Sequence, residues 1–195
     1  MKILGVTGSI GMGKSTVTAQ LALLGAKTLS ADRVVHQLLS PGGRAEAQVF
    51  NYFPEAKTQG GIDRMALGKL VFASDEKRRL LEQILHPLVV EEEERFVQRA
   101  HARGAKLVAL DIPLLFETGA EARVDVVLVA TAPYHLQRRR VLVRPGMDEK
   151  KFKQILSAQM SNHEKCARAD IIVQTGLGKA YTMRQLMTER HQWYA

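Results

Sequence analysis

Cysteine, aromatic residues and long apolar runs are all scarce in this chain of 195 residues. Cys166 is the single cysteine, so an intrachain disulfide is impossible and a reducing compartment is expected. Aromatic residues make up 6% of the chain, and none of them lies between the clustered basic residues as a stacking platform for single-stranded nucleic acid would. No apolar run approaches a membrane span, and Gly5, Thr7 and Gly8 interrupt the N-terminal run that a signal peptide would need. These absences predict a cytoplasmic protein with no membrane partner.

Acidic residues are outnumbered by basic ones, 20 against 28, which gives a formal net charge of +8. Such a surplus suits either a nucleic-acid binder or an enzyme that handles polyanionic small molecules. The basic side chains concentrate at Arg138-Arg139-Arg140, Arg144 and Lys150-Lys151. Because no aromatic residue is interleaved with them, the pattern favours small phosphorylated substrates over nucleic acid. No sequence feature fixes an oligomeric state, and a monomer or a weak homo-oligomer is expected.

One motif concentrates the glycines near the N-terminus: Gly8-Ser9-Ile10-Gly11-Met12-Gly13-Lys14-Ser15. It fits the pattern G-x-x-x-x-G-K-[ST], with an apolar run before it and a helical pattern after it. Glycines let successive backbone N–H groups converge on phosphate oxygens, and the helix N-terminus adds positive charge. Lys14 is expected to reach the β- and γ-phosphates, and Ser15 to ligate Mg²⁺. The predicted nucleotide-binding residues here are Gly8, Gly11, Met12, Gly13, Lys14, Ser15 and Thr16.

Alternating apolar runs and helical patterns predict an α/β fold with a five-stranded parallel sheet in three layers. The expected strands are residues 3–7, 27–30, 106–111, 124–130 and 170–173. The expected helices after the third strand are residues 134–143, 148–162 and 179–191.

Residues 33–104 break this alternation, because they contain helical patterns and no convincing strand. Helices are expected at 33–39, 44–53, 65–72 and 75–102, the last interrupted at Pro87. This length is too great for a plain crossover and predicts an inserted helical lobe that binds the acceptor substrate. Residues 1–32 and 105–195 then form the nucleotide-binding core, with a lid at 134–150.

Two carboxylates follow predicted strands. Asp32 comes after the second strand, where it can accept the proton of an attacking hydroxyl or, equally, cap a helix that begins at Arg33. Asp111 ends the third strand and can contact Mg²⁺ or its waters, or can be a turn residue before Pro113. Asp32 is the candidate base, and Asp111 with Ser15 the candidate metal site.

Arg140 and Arg144 are spaced one helical turn apart. Arginine N–H donors stabilise the charge that builds on phosphoryl oxygens, so we expect Arg140 to be catalytic and Arg144 to bind nucleotide. Pro145-Gly146 directly follows and suits the hinge of a mobile lid.

A set of motifs extends over nearly the whole chain: Val6 to Thr16, Ala31-Asp32, Gly61-Ile62-Asp63-Arg64, Leu85-His86-Pro87-Leu88, Asp111-Ile112-Pro113-Leu114-Leu115-Phe116-Glu117, and Gln159 with Lys165 and Ala169-Asp170. In these motifs the chain resembles the dephospho-CoA kinase family. The phosphate loop alone is common to many families, whereas its combination with His86-Pro87 and with the segment from Ile112 to Glu117 is specific. The chain departs from the family at Pro145-Gly146, at Cys166, and at Thr175-Gly176, where Asn-Gly is more usual.

The resemblance implies a P-loop NTPase-like core that uses ATP and Mg²⁺ to phosphorylate the ribose 3′-hydroxyl of dephospho-CoA. It implies that Asp32 is the base and that Arg140 and Arg144 are lid arginines. A nucleoside or nucleotide kinase is the alternative. A GTP-driven switch is disfavoured, because the sequence has neither an Asn-Lys-x-Asp run nor Asp-x-x-Gly after the third strand.

Overall fold

Five of the predicted apolar runs form one parallel sheet in the computed structural model, which describes residues 1–193. In chain order the strands are β1 (Lys2–Thr7), β2 (Lys27–Ser30), β3 (Lys57–Thr58), β4 (Gly61–Ile62), β5 (Leu107–Asp111), β6 (Val126–Thr131) and β7 (Ile171–Gln174). The main sheet has the order β2-β5-β1-β6-β7. β1 pairs in parallel with both β5 and β6, and β6 pairs in parallel with β7. The predicted α/β class and the five parallel strands are therefore confirmed.

Helices occupy most of the remaining chain. They are α1 (Lys14–Leu23), α2 (Ala31–Leu38), α3 (Glu46–Tyr52), α4 (Arg64–Ala73), α5 (Asp75–Ala102), α6 (Tyr134–Leu142), α7 (Glu149–Ser157), α8 (Asn162–Ala167) and α9 (Lys179–Thr188). Short 3-10 turns lie at Pro54–Ala56, Ala120–Arg123 and Glu189–Trp193. Within residues 1–193, none of the helices combines the length and the apolar character that crossing a membrane requires.

The burial of the strands follows their position in the sheet. All five residues of β5 are buried, as are the last four of β1, so side chains on both faces are covered. β7 lies at the edge and alternates buried and exposed residues. The core between the sheet and its helices contains Leu4, Val6, Val17, Leu21, Leu107, Ala109, Leu128, Ala130, Ile171, Val173, Leu186 and Trp193.

The chain divides into two compact units. The first comprises Met1–Leu29 with Arg99–Ala195 and contains the main sheet and the phosphate loop. The second is the continuous segment Ser30–Gln98, which contains the β3–β4 hairpin, three complete helices and most of α5. Inside the second unit Arg44 forms ion pairs with Glu91 and Glu92, and Arg95 pairs with the same two carboxylates.

The expectation of no strand between the second and third strands of the sheet was wrong. Lys57–Thr58 and Gly61–Ile62 pair antiparallel as a small hairpin around the predicted turn at Gly60 and Gly61. The hairpin is stabilised by the Thr58 hydroxyl, which donates to Gly61 O at 2.7 Å. Strands of two residues carry no alternating pattern, so the sequence indicated the turn and not the pairing.

The single helix expected over residues 148–162 is two helices. α7 ends at Ser157, and Ser161 begins α8 with a capping box. The Ser161 side chain accepts from Glu164 N at 3.2 Å, while Glu164 Oε2 accepts from Ser161 N at 3.1 Å. The Ser161 hydroxyl also donates to Glu164 Oε2 at 2.6 Å, and this bond, followed by the one from Ser161 N, holds the pKa of the Glu164 carboxyl below its ordinary value. The S-x-x-E signal at Ser161 was present in the sequence and marks the boundary.

The interruption expected at Pro87 is also absent, because α5 runs from Asp75–Ala102 with Pro87 inside it. A proline removes one backbone hydrogen-bond donor from a helix. The other backbone hydrogen bonds of this 28-residue helix keep it continuous through Pro87. The last predicted helix, residues 179–191, is α-helical only to Thr188 and continues as a 3-10 turn.

Candidate active site

The phosphate loop has its backbone conformation because of its glycines. Gly11 and Gly13 adopt φ angles of 77° and 88°, which side chains with a Cβ rarely adopt. Neither residue has room for a side chain. A Cβ at Gly11 would lie 2.6 Å from Val141 Cγ2, and one at Gly13 would lie 2.7 Å from Thr175 Oγ1. The two glycines therefore serve both the loop's curvature and its packing against residues far along the chain.

α1 begins directly at the loop. The N–H groups of Thr16 and Val17 both donate to Gly13 O, at 3.0 and 3.2 Å, so Gly13 is the N-cap. Within residues 1–193, no acceptor is found for the N–H groups of Gly13, Lys14 and Ser15. Donors at a helix N-terminus, together with its partial positive charge, form an anion-binding site. Lys14 is half-buried there and Ser15 is exposed.

Two glutamines hold the first half of the loop at the Ile10 peptide groups. Gln137 Nε2 on α6 donates to Ile10 O at 2.8 Å. Gln159, between α7 and α8, accepts from Ile10 N through Oε1 at 3.1 Å. Gln137 is buried, at 3% exposure, so this support is shielded from water.

Arg140 and Thr175 hold the second half. Arg140 Nη1 donates to Gly11 O at 3.3 Å and to Thr175 Oγ1 at 3.0 Å, and Nη2 donates to Thr175 O at 2.7 Å. The Thr175 hydroxyl in turn donates to Met12 O at 2.6 Å. The Met12 side chain is buried and its Sδ accepts from Ala132 N at 3.2 Å. Arg140, predicted to act on phosphate, is thus bonded to one carbonyl group of the loop, that of Gly11, and to Thr175.

Arg144 is not brought to the loop. α6 ends at Leu142, so Arg144 lies beyond the helix, where its N–H donates to Val141 O and its side chain is exposed. This position agrees with the predicted helix 134–143, and nucleotide binding by Arg144 stays a prediction.

Asp111 occupies the last position of β5 and is not a turn residue. The register of β1 and β5 places Asp111 beside Val6, two residues before Gly8. Asp111 is 7% exposed and therefore lies inside the sheet edge from which the phosphate loop emerges. Its carboxylate and the Ser15 hydroxyl are hard oxygen donors of the kind Mg²⁺ takes, together with waters and phosphates. In the described part of the chain no cluster of three or more His, Cys, Asp or Glu side chains forms a metal cage.

Asp32 lies in the second unit, exposed, in the first turn of α2. α2 begins at Ala31 and Ser30 is its N-cap, so the interpretation of Asp32 as the cap of a helix starting at Arg33 was wrong. A carboxylate in a first helical turn is favoured by the helix dipole.

A buried ion pair joins Lys165 of α8 to Glu117, in the segment that follows β5. The Lys165 side chain is fully buried, and its Nζ contacts Glu117 Oε1 at 2.8 Å and Pro113 O at 3.3 Å. Glu117 Oε1 also accepts from Met160 N at 2.8 Å, the residue after Gln159. The pair therefore connects the segment after β5 with the one that supports Ile10.

Cys166 is half-buried on α8. Burial raises the pKa of its thiol above the ordinary value, and a hydrogen bond with Thr131 opposes that rise. A raised pKa lowers the thiolate fraction at neutral pH, which argues against a nucleophile.

Comparison with known proteins agrees with this geometry. The family model described as dephospho-CoA kinase matches residues 2–178. The chain belongs to the dephospho-CoA kinase family. It is similar to a dephospho-CoA kinase from Rhizobium meliloti, with 48% identity over 95% of each chain, and to one from Bartonella quintana, with 42% identity over 96% of each.

Solved structures support the same family. A Thermus thermophilus protein aligns over 100% of this chain and 98% of its own with a TM-score of 0.84 and 34% identity. Dephospho-CoA kinase from Campylobacter jejuni aligns over 98% and 97% with a TM-score of 0.67 and 25% identity. Shikimate kinase from Acinetobacter baumannii, at 17% identity, 98% and 93% coverage and a TM-score of 0.55, shares the fold.

Sequence reasoning missed the loop's supporting residues. Gln137 was not noticed, Gln159 was named only through the family resemblance, and Thr175 only as a departure from it. Each lies more than 120 residues from the loop it contacts. Their types carry no signal for such a role, so only the fold reveals it.

Proposed function

We propose that the chain transfers the γ-phosphoryl group of ATP to the ribose 3′-hydroxyl of dephospho-CoA, giving coenzyme A and ADP, the last step of CoA biosynthesis. The observation that carries the proposal is the family match over residues 2–178, which include the phosphate loop and the side chains that hold it. Membership of the family implies a kinase, and the loop supplies the donor side of such a reaction.

On the donor side, Lys14 and the N–H groups at the start of α1 bind the phosphates. Arg140 places its positive charge beside Gly11, where it favours an anion on the loop. Arg144, exposed beyond α6, is the candidate for a second nucleotide contact. Ser15 and Asp111 are the candidate Mg²⁺ ligands. When bound there, Mg²⁺ neutralises charge on the β- and γ-phosphates.

On the acceptor side, Asp32 accepts the proton of the 3′-hydroxyl or orients it for in-line attack. Asp32 follows the last residue of β2 by two positions, and ligands of open α/β sheets bind outside the carboxyl ends of the strands. Its exposure leaves the carboxylate accessible to a substrate hydroxyl.

The second unit, which includes most of the predicted acceptor lobe 33–104, offers one candidate surface for the rest of the acceptor. A cleft of about 280 Å³ lies between α3 and α5, and both apolar and amide side chains line it. Its lining residues are Gln48, Tyr52, Leu80, Gln83, Ile84, Pro87 and Leu88. Tyr52→Ala should raise KM for dephospho-CoA with KM for ATP unchanged, whereas Phe72→Ala, exposed in the same unit and outside the cleft, should change neither.

The test of the function is a panel assay with Mg·ATP and dephospho-CoA, adenosine or nucleoside monophosphates as acceptors. Formation of ADP and a product heavier by one phosphate with dephospho-CoA is expected. A product with a nucleoside or monophosphate alone would favour a nucleoside or nucleotide kinase instead.

Asp32→Asn tests the base. Turnover should fall by roughly 10² to 10⁴ while Mg·ATP binding is retained, because general base catalysis contributes about that factor. Asp75→Asn is the matched control, since Asp75 is also a carboxylate in the first turn of a helix of the second unit. Near-normal turnover of Asp32→Asn would remove Asp32 from this role.

A cytoplasmic location and a monomeric or weakly associated state are parts of the same proposal. The single cysteine supports the location. Small substrates account for the net charge without a nucleic-acid partner, and steeply salt-dependent binding to random DNA would contradict this.

A further inference from the structure

Thr175 is one of the residues that support the phosphate loop but have no role in the motif or in the proposed mechanism. It follows the last residue of β7 and is 5% exposed. Its backbone N–H donates to Thr131 O at 2.8 Å, which fixes it at the end of β6. The side chain is therefore held by the main sheet and presented to the phosphate loop.

The hydroxyl of Thr175 makes a directed set of bonds. A hydroxyl has a single hydrogen, and Met12 O at 2.6 Å is a better acceptor for it than Thr131 O at 3.3 Å. Its lone pair accepts from Arg140 Nη1 at 3.0 Å. Because the donor to it carries a full charge, the hydroxyl is polarised and its bond to Met12 O is strengthened.

Fixing Met12 O fixes the direction of the next N–H group. The Met12–Gly13 peptide is trans, so its C=O and its N–H point in opposite directions. With the carbonyl turned to Thr175, the Gly13 N–H is turned away from it, and among residues 1–193 this N–H has no acceptor. Gly13 is the residue immediately before Lys14 and the N-cap of α1.

The Gly13 backbone packs so closely against Thr175 that position 13 has no room for a side chain. The position of a Cβ on Gly13 is already 2.7 Å from Thr175 Oγ1 and 3.0 Å from Thr175 Cβ. Arg140 closes the arrangement by bonding Gly11 O and Thr175 O with the same guanidinium. The hydrogen bonds from Arg140 and Thr175, with the close packing at Gly13, hold the backbone from Gly11 to Gly13 in a single orientation.

We propose that Thr175 is a positioning residue for phosphate binding: its hydroxyl orients the Met12–Gly13 peptide so that the loop is preorganised for the ATP phosphates. The inference rests on the proposed function only in taking ATP as the donor. It assigns no chemistry to Thr175 itself, which acts through the loop.

The test is Mg·ATP binding measured by calorimetry without any acceptor, on Thr175→Val, Thr175→Ser and Thr182→Val. Valine keeps the shape of threonine and removes the hydroxyl, and serine keeps the hydroxyl. Thr182 is the matched control, since it is 1% exposed and its hydroxyl bonds Gln174 O and Gly178 O, both outside the loop. Thr175→Val should raise Kd for Mg·ATP by roughly 10- to 100-fold, the effect of losing one charge-supported hydrogen bond. Thr175→Ser should stay within about threefold, and Thr182→Val should bind as the wild type does.

Thermal unfolding separates positioning from general stability. If Thr175→Val and Thr182→Val lower Tm alike while only the former weakens Mg·ATP binding, the proposal stands. An unchanged Kd in Thr175→Val, equal weakening in Thr182→Val, or loss of binding in Thr175→Ser would overturn it. If Thr175→Val does not fold, Thr175→Cys replaces it, because the thiol keeps the shape and is a weaker donor; a wild-type Kd there would also overturn the proposal.

Loss of the proposed function has a different signature. Wild-type protein that binds Mg·ATP and does not phosphorylate dephospho-CoA would contradict the choice of acceptor. The comparison of Kd between the threonine variants would still decide the role of Thr175.

Discussion

Removing the amine of Lys165 should be among the most destabilising single changes available in this chain. The side chain is 0% exposed and its Nζ lies 2.8 Å from Glu117 Oε1, whose own side chain is 19% exposed. In Lys165→Met the carboxylate stays in place with the Met160 N–H as its remaining recorded donor. A buried charge without its counter-ion is the costliest electrostatic defect a protein core can have.

The magnitude follows from that burial. Breaking a buried pair by removing one partner costs about 3–5 kcal/mol, and in a chain of this size 1 kcal/mol lowers Tm by about 2–4 °C. Glu117→Gln should lower the free energy of unfolding by a similar amount, because it leaves the fully buried Lys165 charge without a counter-ion, although one amide oxygen can still accept a hydrogen bond. The loss of unfolding free energy in the double variant should be smaller than the sum of the two single losses by roughly 0.5–3 kcal/mol, because neither the Lys165 nor the Glu117 charge is then buried without its partner.

The assay is urea unfolding of the four proteins in a double-mutant cycle. The chain supplies a control in Glu121→Gln, whose partner Arg168 also lies at the end of α8 but is 45% exposed at its side chain. Exposed pairs contribute about 0–1 kcal/mol. The buried pair does not have the energetic role assigned to it if Lys165→Met lowers the free energy of unfolding by no more than Glu121→Gln does. The same holds if the losses of the two single variants simply add in the double variant.

Three further outcomes are expected. Gly13→Ala should abolish Mg·ATP binding. The control Gly25→Ala, with φ 98° and no atom within 4 Å of its Cβ, should keep that binding and lose only about 1–2 kcal/mol of stability. Equal effects of the two variants on Mg·ATP binding would show that the close packing of Gly13 on Thr175 is unimportant. The pH midpoint of Cys166 alkylation should lie higher in the native protein than in urea, because burial raises the pKa of the thiol; coincident midpoints would contradict this. Asp63→Ala should lower the free energy of unfolding by about 0.5–2 kcal/mol, because the Asp63 carboxylate caps α4 through two N–H groups. A change smaller than about 0.3 kcal/mol, which is close to the error of such measurements, would contradict this.

How far the sequence was informative depended on the range of the interactions involved. The phosphate loop is recognisable because its chemistry is that of one contiguous backbone segment, and the order of residues alone specifies it. The five strands are recognisable because burial on both faces demands unbroken apolar runs. By contrast, Thr175, Gln137 and Gln159 act on the loop from more than 120 residues away, and their side chains are common types that indicate nothing on their own.

Local errors had local causes. The boundary between α7 and α8 depends on one hydroxyl and one carboxylate, at Ser161 and Glu164, which a helical periodicity running past them conceals. Pro87 was expected to interrupt α5, and the structure shows that the helix tolerates the loss of one bond. Arg140 lies within α6 and reaches Gly11 O, whereas Arg144 follows the end of the helix, as the predicted helix 134–143 implied.

The central place of β1 in the sheet has a consequence for synthesis of the protein. β1 and the loop that follows it are synthesised before both strands that flank β1, which come from beyond residue 106. Thr175, which holds Met12, emerges 163 residues after it. At about 5–20 residues per second, β1 and the loop are without these partners for roughly ten seconds or more. The continuous segment Ser30–Gln98 has its own internal contacts and emerges meanwhile, so a ribosome-bound chain acquires its second unit before its nucleotide site.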